Sequence, residues 1–376
     1  MTKPTSKQNG QASVRSRIYH TLYDGRSFCS KQSLAERCGI SMPTLYLNLN
    51  ELMEEGLVRY SGEERSTGGR RAQGLDIVPD ARISVGLSLS SGMMRAVAAD
   101  LRLQELAYKT YSYDSAAEVF AGSHVIARDL EDFLDEFGID RGRLLGVGIS
   151  LPGPISPDHS RLIIAPTLGL RDVALDGLTR DIPYPVYVEN DASASGHAEC
   201  FVRRDSENMA YLSLENGVGG AVLIDGKPYD GELMRSGEFG HICVEPAGLP
   251  CSCGKHGCLE PYCSASRIDK TFGIGLEEFF EGVEAHNPAY EALLYDILRH
   301  LAIGINNIHM VLDCDVILGG FFSEYLRPYL PILRQYVLSG NAFMEDADFV
   351  KLSILPRHIT PLGAALFFIR EFVNSV

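Results

Sequence analysis

CSCGKHGCLE, residues 251–260, places three cysteines within eight positions and closes on a glutamate. Three thiols this close cannot pair off among themselves, and the chain's nine cysteines are odd in number. The opening MTKPTSKQNG (1–10) has no apolar signal core, and no apolar run approaches the length of a membrane span. A reducing, cytoplasmic setting is the expectation, and there clustered cysteines more often hold a metal than form disulfides. Just upstream, GEFGHICVEPAGLP (237–250) contributes His241. One imidazole with Cys251, Cys253 and Cys258 makes the closed Cys3His tetrahedron typical of structural zinc, with no position left for a catalytic water. The C-x-C-x4-C spacing demands a tight loop, and Gly254 and Gly257 supply the backbone freedom to close it. Buried free thiols are the competing reading, and it suits Cys29, Cys38, Cys200, Cys243, Cys263 and Cys314. Cys243, His256 and Cys263 stay open as alternatives for the fourth ligand.

At 376 residues and 45% apolar composition, the chain has material for two or three domains with ample core. A formal charge of −15 argues against nucleic acid as the partner of the whole protein, but the charge is uneven. Residues 1–79 carry 11 Lys+Arg against 8 Asp+Glu, and the remainder carries 23 against 41. In this basic head, VRSRIYHTLYDG (14–25) sets Val14, Ile18 and Leu22 on one helical face. KQSLAERCGI (31–40) predicts a short helix stopping at Gly39. SMPTLYLNLNELMEEGLV (41–58) predicts a third helix, capped by Ser41 and closed by Gly56, with Leu45, Leu49, Leu52 and Met53 on one face.

This is the helix-turn-helix pattern, and residues 57–60 and 72–78 predict a two-stranded wing across GEERSTGGRR (62–71). Met42, Pro43, Thr44, Tyr46, Leu47 and Asn48 then face the major groove, with Asn48 suited to adenine. Arg70 and Arg71 suit phosphate or the minor groove. A three-helix protein-interaction module has the same leucine pattern; the basic bias and the Gly-Gly-Arg-Arg tip favour operator DNA. Against this, the third helix has no Arg or Lys between positions 41 and 55.

From Ile83 the texture becomes strand-like in ISVGLSLS (83–90), MMRAVAAD (93–100) and LQELAYKTYSYD (103–114). A helix is expected over 116–137, then a strand in LLGVGISLPGP (144–154). VYVENDASASGHAEC (186–200) reads as a strand passing directly into a helix at Asn190–Asp191. YLSLENGVGGAVLIDGKPYDG (211–231) reads as a hairpin, and long helices are expected over about 286–311 and 322–339, flanking VILGGFF (316–322). Strands then helices, twice over, predict two α/β lobes with ligand residues between them. Asp191, at the helix start, is either an N-cap carboxylate or an acceptor, or general base, for a ligand hydroxyl.

Glu238-x-x-His241 followed by CSCGKHGCLE resembles the zinc motif of the ROK family (repressors, open reading frames and sugar kinases). The VEND stretch ending at Asp191, the LPGP turn at 151–154 with Gly153, VILGG at 316–320 and PLGAA at 361–365 match in the same order. The resemblance spans essentially the whole chain, including the N-terminal winged helix-turn-helix found in the family's repressors. It implies an actin/hexokinase-like (ribonuclease-H-like) two-lobed body over 80–376, with lobe 1 at about 80–189 plus 357–376 and lobe 2 at about 190–356. The head over 1–79 is then the winged helix-turn-helix DNA-binding domain. Gly153, Asn190, Asp191, Glu238, His241 and Glu260 match the family's sugar site, with Asp191 in the place of the kinases' catalytic base.

Two departures stand out. Where the family's kinases carry an Asp-x-Gly-Gly-Thr-like phosphate loop, GLSLSSGMM (86–94) has Ser88 for the aspartate and Ser90, Ser91 and Gly92 for Gly-Gly-Thr. Glu215 and Asn216 likewise replace Gly-Thr in LENGVGGA (214–221). Phosphoryl transfer depends on positioning and neutralising phosphates, so kinase activity is expected to be lost. Thr167 in IIAPTLGL (163–170) stands near a sugar-contacting Asn of the family's glucokinases. The expectation is a sugar-responsive transcriptional regulator, a repressor, that carries one structural zinc and binds a monosaccharide or sugar derivative. It would act as a homodimer or homotetramer without a membrane. An active sugar kinase with a DNA-binding head, and a carbohydrate-binding interaction protein, are the alternatives.

Overall fold

Helices Val14–Gly25, Lys31–Cys38 and Met42–Glu54 open the chain in the computed structural model, which describes residues 13–25, 29–63, 73–90, 92–120, 123–341, 343, 346–355 and 358–376. Ser30 and Ser41 cap the second and third helices through side chains that accept from Ser33 N and Thr44 N. Gly39 takes φ +64°, a left-handed conformation that ends the second helix sharply. Ile18, Leu22, Leu34, Leu45, Leu49 and Leu52 are buried where the three helices meet. Gln73–Ile77 is the centre of a small antiparallel sheet, between Cys29–Ser30 and Val58–Glu63. Arg70 and Arg71, expected at the wing tip, lie outside the described residues.

The body repeats one topology twice. In the first sheet Ile83–Ser90 pairs antiparallel with Met93–Asp100, which pairs antiparallel with Glu105–Ser112. On its other side Ile83–Ser90 runs parallel to Leu144–Leu151, and that strand parallel to Val186–Asn190. In the second sheet Met209–Leu214, Val218–Ile224 and Lys227–Pro228 form the antiparallel part. Asp315–Gly319 and Val350–Leu352 add the two parallel strands. Hairpins build the antiparallel halves, and helical crossovers supply the parallel strands.

The 116–137 stretch is helical over Ala116–Phe120 and Ser123–Glu136, with residues 121–122 outside the described ones. One expected helix is broken. The 322–339 stretch forms Phe321–Tyr325 and Leu330–Ser339 with a 3-10 turn, Arg327–Tyr329, between them. Pro328 and Pro331 lack the amide protons a continuous helix would need there.

Helices Asp191–Arg203 and Ile359–Ser375 pack on each other where the lobes meet. The first also packs on the second sheet and the second on the first sheet. Gly363, in the PLGAA stretch, permits this approach: a Cβ there would lie 1.9 Å from the carbonyl oxygen of Ala194. Glu199, fully buried, accepts from Ser353 Oγ at 2.7 Å and pairs within its helix with Arg203 at 2.8 Å, which donates in turn to Leu352 O at 2.7 Å; these bonds anchor the helix to the second lobe.

The head rests on both lobes. Tyr23 Oη donates to the carbonyl oxygen of Leu101 at 2.7 Å, and Arg102 pairs with Asp76 at 2.5 Å, both in the first lobe's hairpin. The Tyr23 ring lies 6.4 Å from that of Phe201, at the end of the second lobe's helix. One apolar cluster runs without interruption from Ile18 and Leu22 through Leu101 to Ala198, Met209 and Leu366. Head and body therefore share a core.

Candidate functional site

The loop at 241–260 is short and heavily hydrogen-bonded. Cys251 N donates to Lys255 O at 2.8 Å, Gly257 N to Leu249 O at 2.8 Å, and Val244 N to Gly257 O at 2.8 Å. Gly257, at φ +75°, has no alternative, because a Cβ would meet Glu245 O at 1.8 Å. This weave gathers His241, Cys251, Cys253 and Cys258 so that one ligand atom from each lies within 4.8 Å of all the others, a group able to hold a metal ion. The other candidates for the fourth position fall outside it. Cys263 is fully buried and turns its thiol to Ile297 O, and Cys243 is exposed rather than buried as expected.

His241 faces the thiols with Nδ1, 3.5 Å from Cys251 Sγ, and turns Nε2 toward Glu238 Oε2 at 4.0 Å. Glu260 begins the short helix Glu260–Cys263 directly after the loop. Its Oε2 accepts from Val218 N at 3.2 Å and its Oε1 from Ser252 Oγ at 3.2 Å, so it links the cysteine loop to the second-lobe hairpin.

Across the lobes, the strand Val186–Asn190 delivers Asn190 and Asp191 to the cleft. The N-cap is Asn190, not Asp191: Asn190 Oδ1 accepts from Ala192 N at 2.9 Å and Ser193 N at 3.0 Å. Asn190 Nδ2 donates to Gly153 O at 3.1 Å, which ties the 151–154 turn to the helix start. Asp191, one residue on, is left with its carboxylate toward the cleft and one local bond, from its neighbour Ala192 N. Burial raises its pKa to about 7, with the charges of Glu215 and Glu238 adding to the shift. Burial also raises Glu238, opposed by His241 and reinforced by Glu260. Glu215 and Glu238 thus bear on Asp191, and Glu260 on Glu238, an arrangement rich in hydrogen-bond acceptors for hydroxyl groups. Thr167 is exposed, in the turn Pro166–Leu168.

Ser88 lies in a regular strand, buried, directly across from Arg95. Ser90 pairs with Met93, and Ser91, between them, is outside the described residues. From the facing lobe Glu215, its pKa raised by burial, feels the opposing charge of Arg95.

On the head's third helix, Met42, Pro43, Tyr46 and Leu47 are exposed. Thr44 Oγ1 is engaged by Ser41 Oγ at 2.8 Å, and Asn48 Nδ2 turns back onto Thr44 O at 2.9 Å. Lys31 was not singled out from sequence. Its Nζ sits 4.5 Å from the Tyr46 ring centroid and 5.0 Å from that of Tyr60. It supplies the positive charge that the third helix lacks, and its position at the start of the second helix was the available signal.

Residues 96–366 match the ROK family, and the chain belongs to it. The xylose repressor of Bacillus subtilis (strain 168) is 29% identical over 363 residues, covering 92% of each chain. The DNA-binding transcriptional dual regulator NagC of Escherichia coli (strain K12) is 25% identical over 392 residues, covering 96% of this chain and 94% of its own. A solved ROK family transcriptional regulator, a homolog of the E. coli MLC protein, superposes with a TM-score of 0.75 over 96% of both chains at 20% identity. The ROK hexokinase from Thermus thermophilus superposes with a TM-score of 0.63, at 25% identity, over 78% of this chain and 100% of its own. The body has the two-lobed hexokinase-like fold of these structures.

Proposed function

We propose that this protein is a sugar-responsive transcriptional repressor whose kinase-derived body binds a monosaccharide or sugar derivative and does not phosphorylate it. The observation that carries this reading is the helix Asp191–Arg203: it starts in the cleft with Asp191 and ends beneath the head at Phe201 and Arg204. A ligand drawing the lobes together shifts the surface on which the head rests, because Tyr23 touches both lobes. Repressor relatives align along more than nine-tenths of the chain, which supports the same assignment.

In this reading the head, residues 1–79, is a winged helix-turn-helix. Met42, Pro43, Tyr46 and Leu47 meet the major groove with Thr44 and Asn48, Lys31 meets phosphate, and Arg70 and Arg71 of the wing reach the backbone or minor groove. Two heads in a homo-oligomer give the contact area that one small module lacks. In the cleft, Asp191, Glu238 and Glu260 accept from sugar hydroxyls, and Asn190 and Gly153 shape the wall beside them.

The metal centre fits zinc. Bonds of about 2.3 Å to sulfur and about 2.0 Å to nitrogen give tetrahedral edges of roughly 3.8 Å between sulfurs and roughly 3.5 Å from sulfur to nitrogen. Cys253 Sγ and Cys258 Sγ are 3.7 Å apart, and His241 Nδ1 and Cys251 Sγ 3.5 Å. Bound there, zinc would lock the loop, leaving His241 Nε2 to face the cleft. The test is an operator-binding assay by anisotropy with and without a sugar selected by thermal shift across monosaccharides and N-acetyl sugars. The expected outcome is a sugar-dependent change in operator affinity. A body that binds sugar with no effect on DNA binding would overturn the reading.

A further inference from the structure

On the opposite side of the Asp191–Arg203 helix from Asp191 lies a second cavity of about 190 Å³. At roughly 100° per residue, Ser193 and His197 project roughly 200° and 240° around the helix from Asp191, and both line this cavity. Tyr187 and Glu189 alternate onto the same face of their strand and form its first-lobe wall. Asp230, just past the edge strand Lys227–Pro228, forms the facing wall from the second lobe.

Glu189 is 9% exposed, and its Oε1 has no hydrogen-bond partner. A buried carboxylate oxygen left unpaired is costly, and nothing in the sugar cleft uses it. Among the described residues, no side chain of the wall hydrogen-bonds to that oxygen. His159 Nδ1 donates to Val188 O at 2.9 Å, and its ring bears on Asp230, partly opposing the rise that burial causes in that carboxyl. His197 accepts from Arg370 at Nε2, and burial together with that guanidinium pushes its pKa down to about 3, so it stays neutral. Arg370 donates to His197 and to Gly226 O at 3.1 Å, and it is not among the residues lining the cavity. The acidic groups lining the cavity are two carboxyls, one from each lobe, beside a Tyr187 ring stacked on Phe367 at 3.7 Å.

We propose that this cavity binds a small organic cation, a primary amine, with its ammonium group between Glu189 and Asp230 and its carbon skeleton against Tyr187. Its volume of about 190 Å³ suits a compact amine rather than a bare ion. The ammonium satisfies the stranded oxygen of Glu189, and the aromatic ring favours a cation beside it. Because the two carboxylates belong to different lobes, amine binding selects one lobe arrangement and is thereby coupled to whatever else moves the lobes. Burial, with Asp230 nearby, raises the Glu189 carboxyl to about 8. At neutral pH it holds a proton that the ammonium displaces, so binding tightens as pH rises toward 8 and then levels.

The test uses the full chain, thermal shift and calorimetry, with ethanolamine and putrescine as probes and erythritol as a neutral control of similar size. Both amines should raise the melting temperature and release protons at pH 7, while erythritol does neither. Glu189→Gln and Asp230→Asn should each weaken amine binding by about tenfold or more, the loss of a charge-assisted hydrogen bond. If Glu189→Gln does not fold, the half-buried Asp230→Asn decides alone. Absence of amine binding, equal binding of erythritol, or variants that bind amines as the native protein does would overturn the proposal.

Discussion

Arg204 donates through Nη1 to the backbone carbonyl of Asp24 at 2.9 Å, fastening the end of the helix that Asp191 begins to the first helix of the head. Together with the bond from Tyr23 to Leu101, it leaves the head astride both lobes. Changes at this seat should therefore separate sugar binding from sugar response. Tyr23→Phe removes the 2.7 Å bond and should cost about 1 kcal/mol of stability. Combined with Arg204→Ala, it should leave sugar affinity within about twofold of native, since neither residue reaches the cleft. The sugar-induced change in operator affinity, read by anisotropy, should shrink. An undiminished response would place the coupling elsewhere.

Metal analysis of the purified protein should find one zinc per chain. Cys258→Ser, which removes the most buried thiol of the cluster, should abolish that zinc and lower the melting temperature. Sugar affinity should fall with it, although Cys258 touches no sugar. A metal-free protein with native stability would exclude the assignment.

Asp191→Ala should weaken sugar binding by on the order of 1–3 kcal/mol by calorimetry, and Asp191→Asn by less, because the amide still accepts a hydrogen bond. In a coupled ADP-release assay the native protein should show no turnover with a sugar that it binds. The missing carboxylate at Ser88 and the carboxylate present at Glu215 both work against a bound nucleotide. Turnover that depends on Asp191 would restore the kinase reading.

Asp191 also predicts a pH dependence. Its folded pKa of about 7 lies above its ordinary value of 3.8, so between these values the native state binds more protons than the unfolded chain. Its contribution to stability therefore falls as pH rises from about 4 to about 7 and is level above that. Denaturant melts of the native protein and Asp191→Asn should show the variant gaining stability relative to native across that window. Parallel pH profiles would refute the shift.

Lys31→Ala should weaken operator and nonspecific duplex binding alike and reduce the slope of log affinity against log salt by about one, as expected for a single lost phosphate contact. An unchanged slope would remove Lys31 from the interface.

The sequence by itself determined what is local. Helix ends are governed by a few adjacent residues, so Ser41 and Gly39 marked theirs correctly. Three of the four metal-cluster residues lie within eight positions, so spacing nominated the three thiolates while leaving the fourth ligand open, and the alternation of strands and helices announced two lobes. It could not decide which of two adjacent polar residues caps the cleft helix, because a shift of one residue leaves the composition pattern unchanged; the geometry gave the cap to Asn190 and the cleft to Asp191. What remained was long-range. The seat of the head joins residues 78 and 180 positions apart, and Glu189 and Asp230 line one cavity from different lobes. Such pairings arise from chain packing across the whole molecule, and no local periodicity records them.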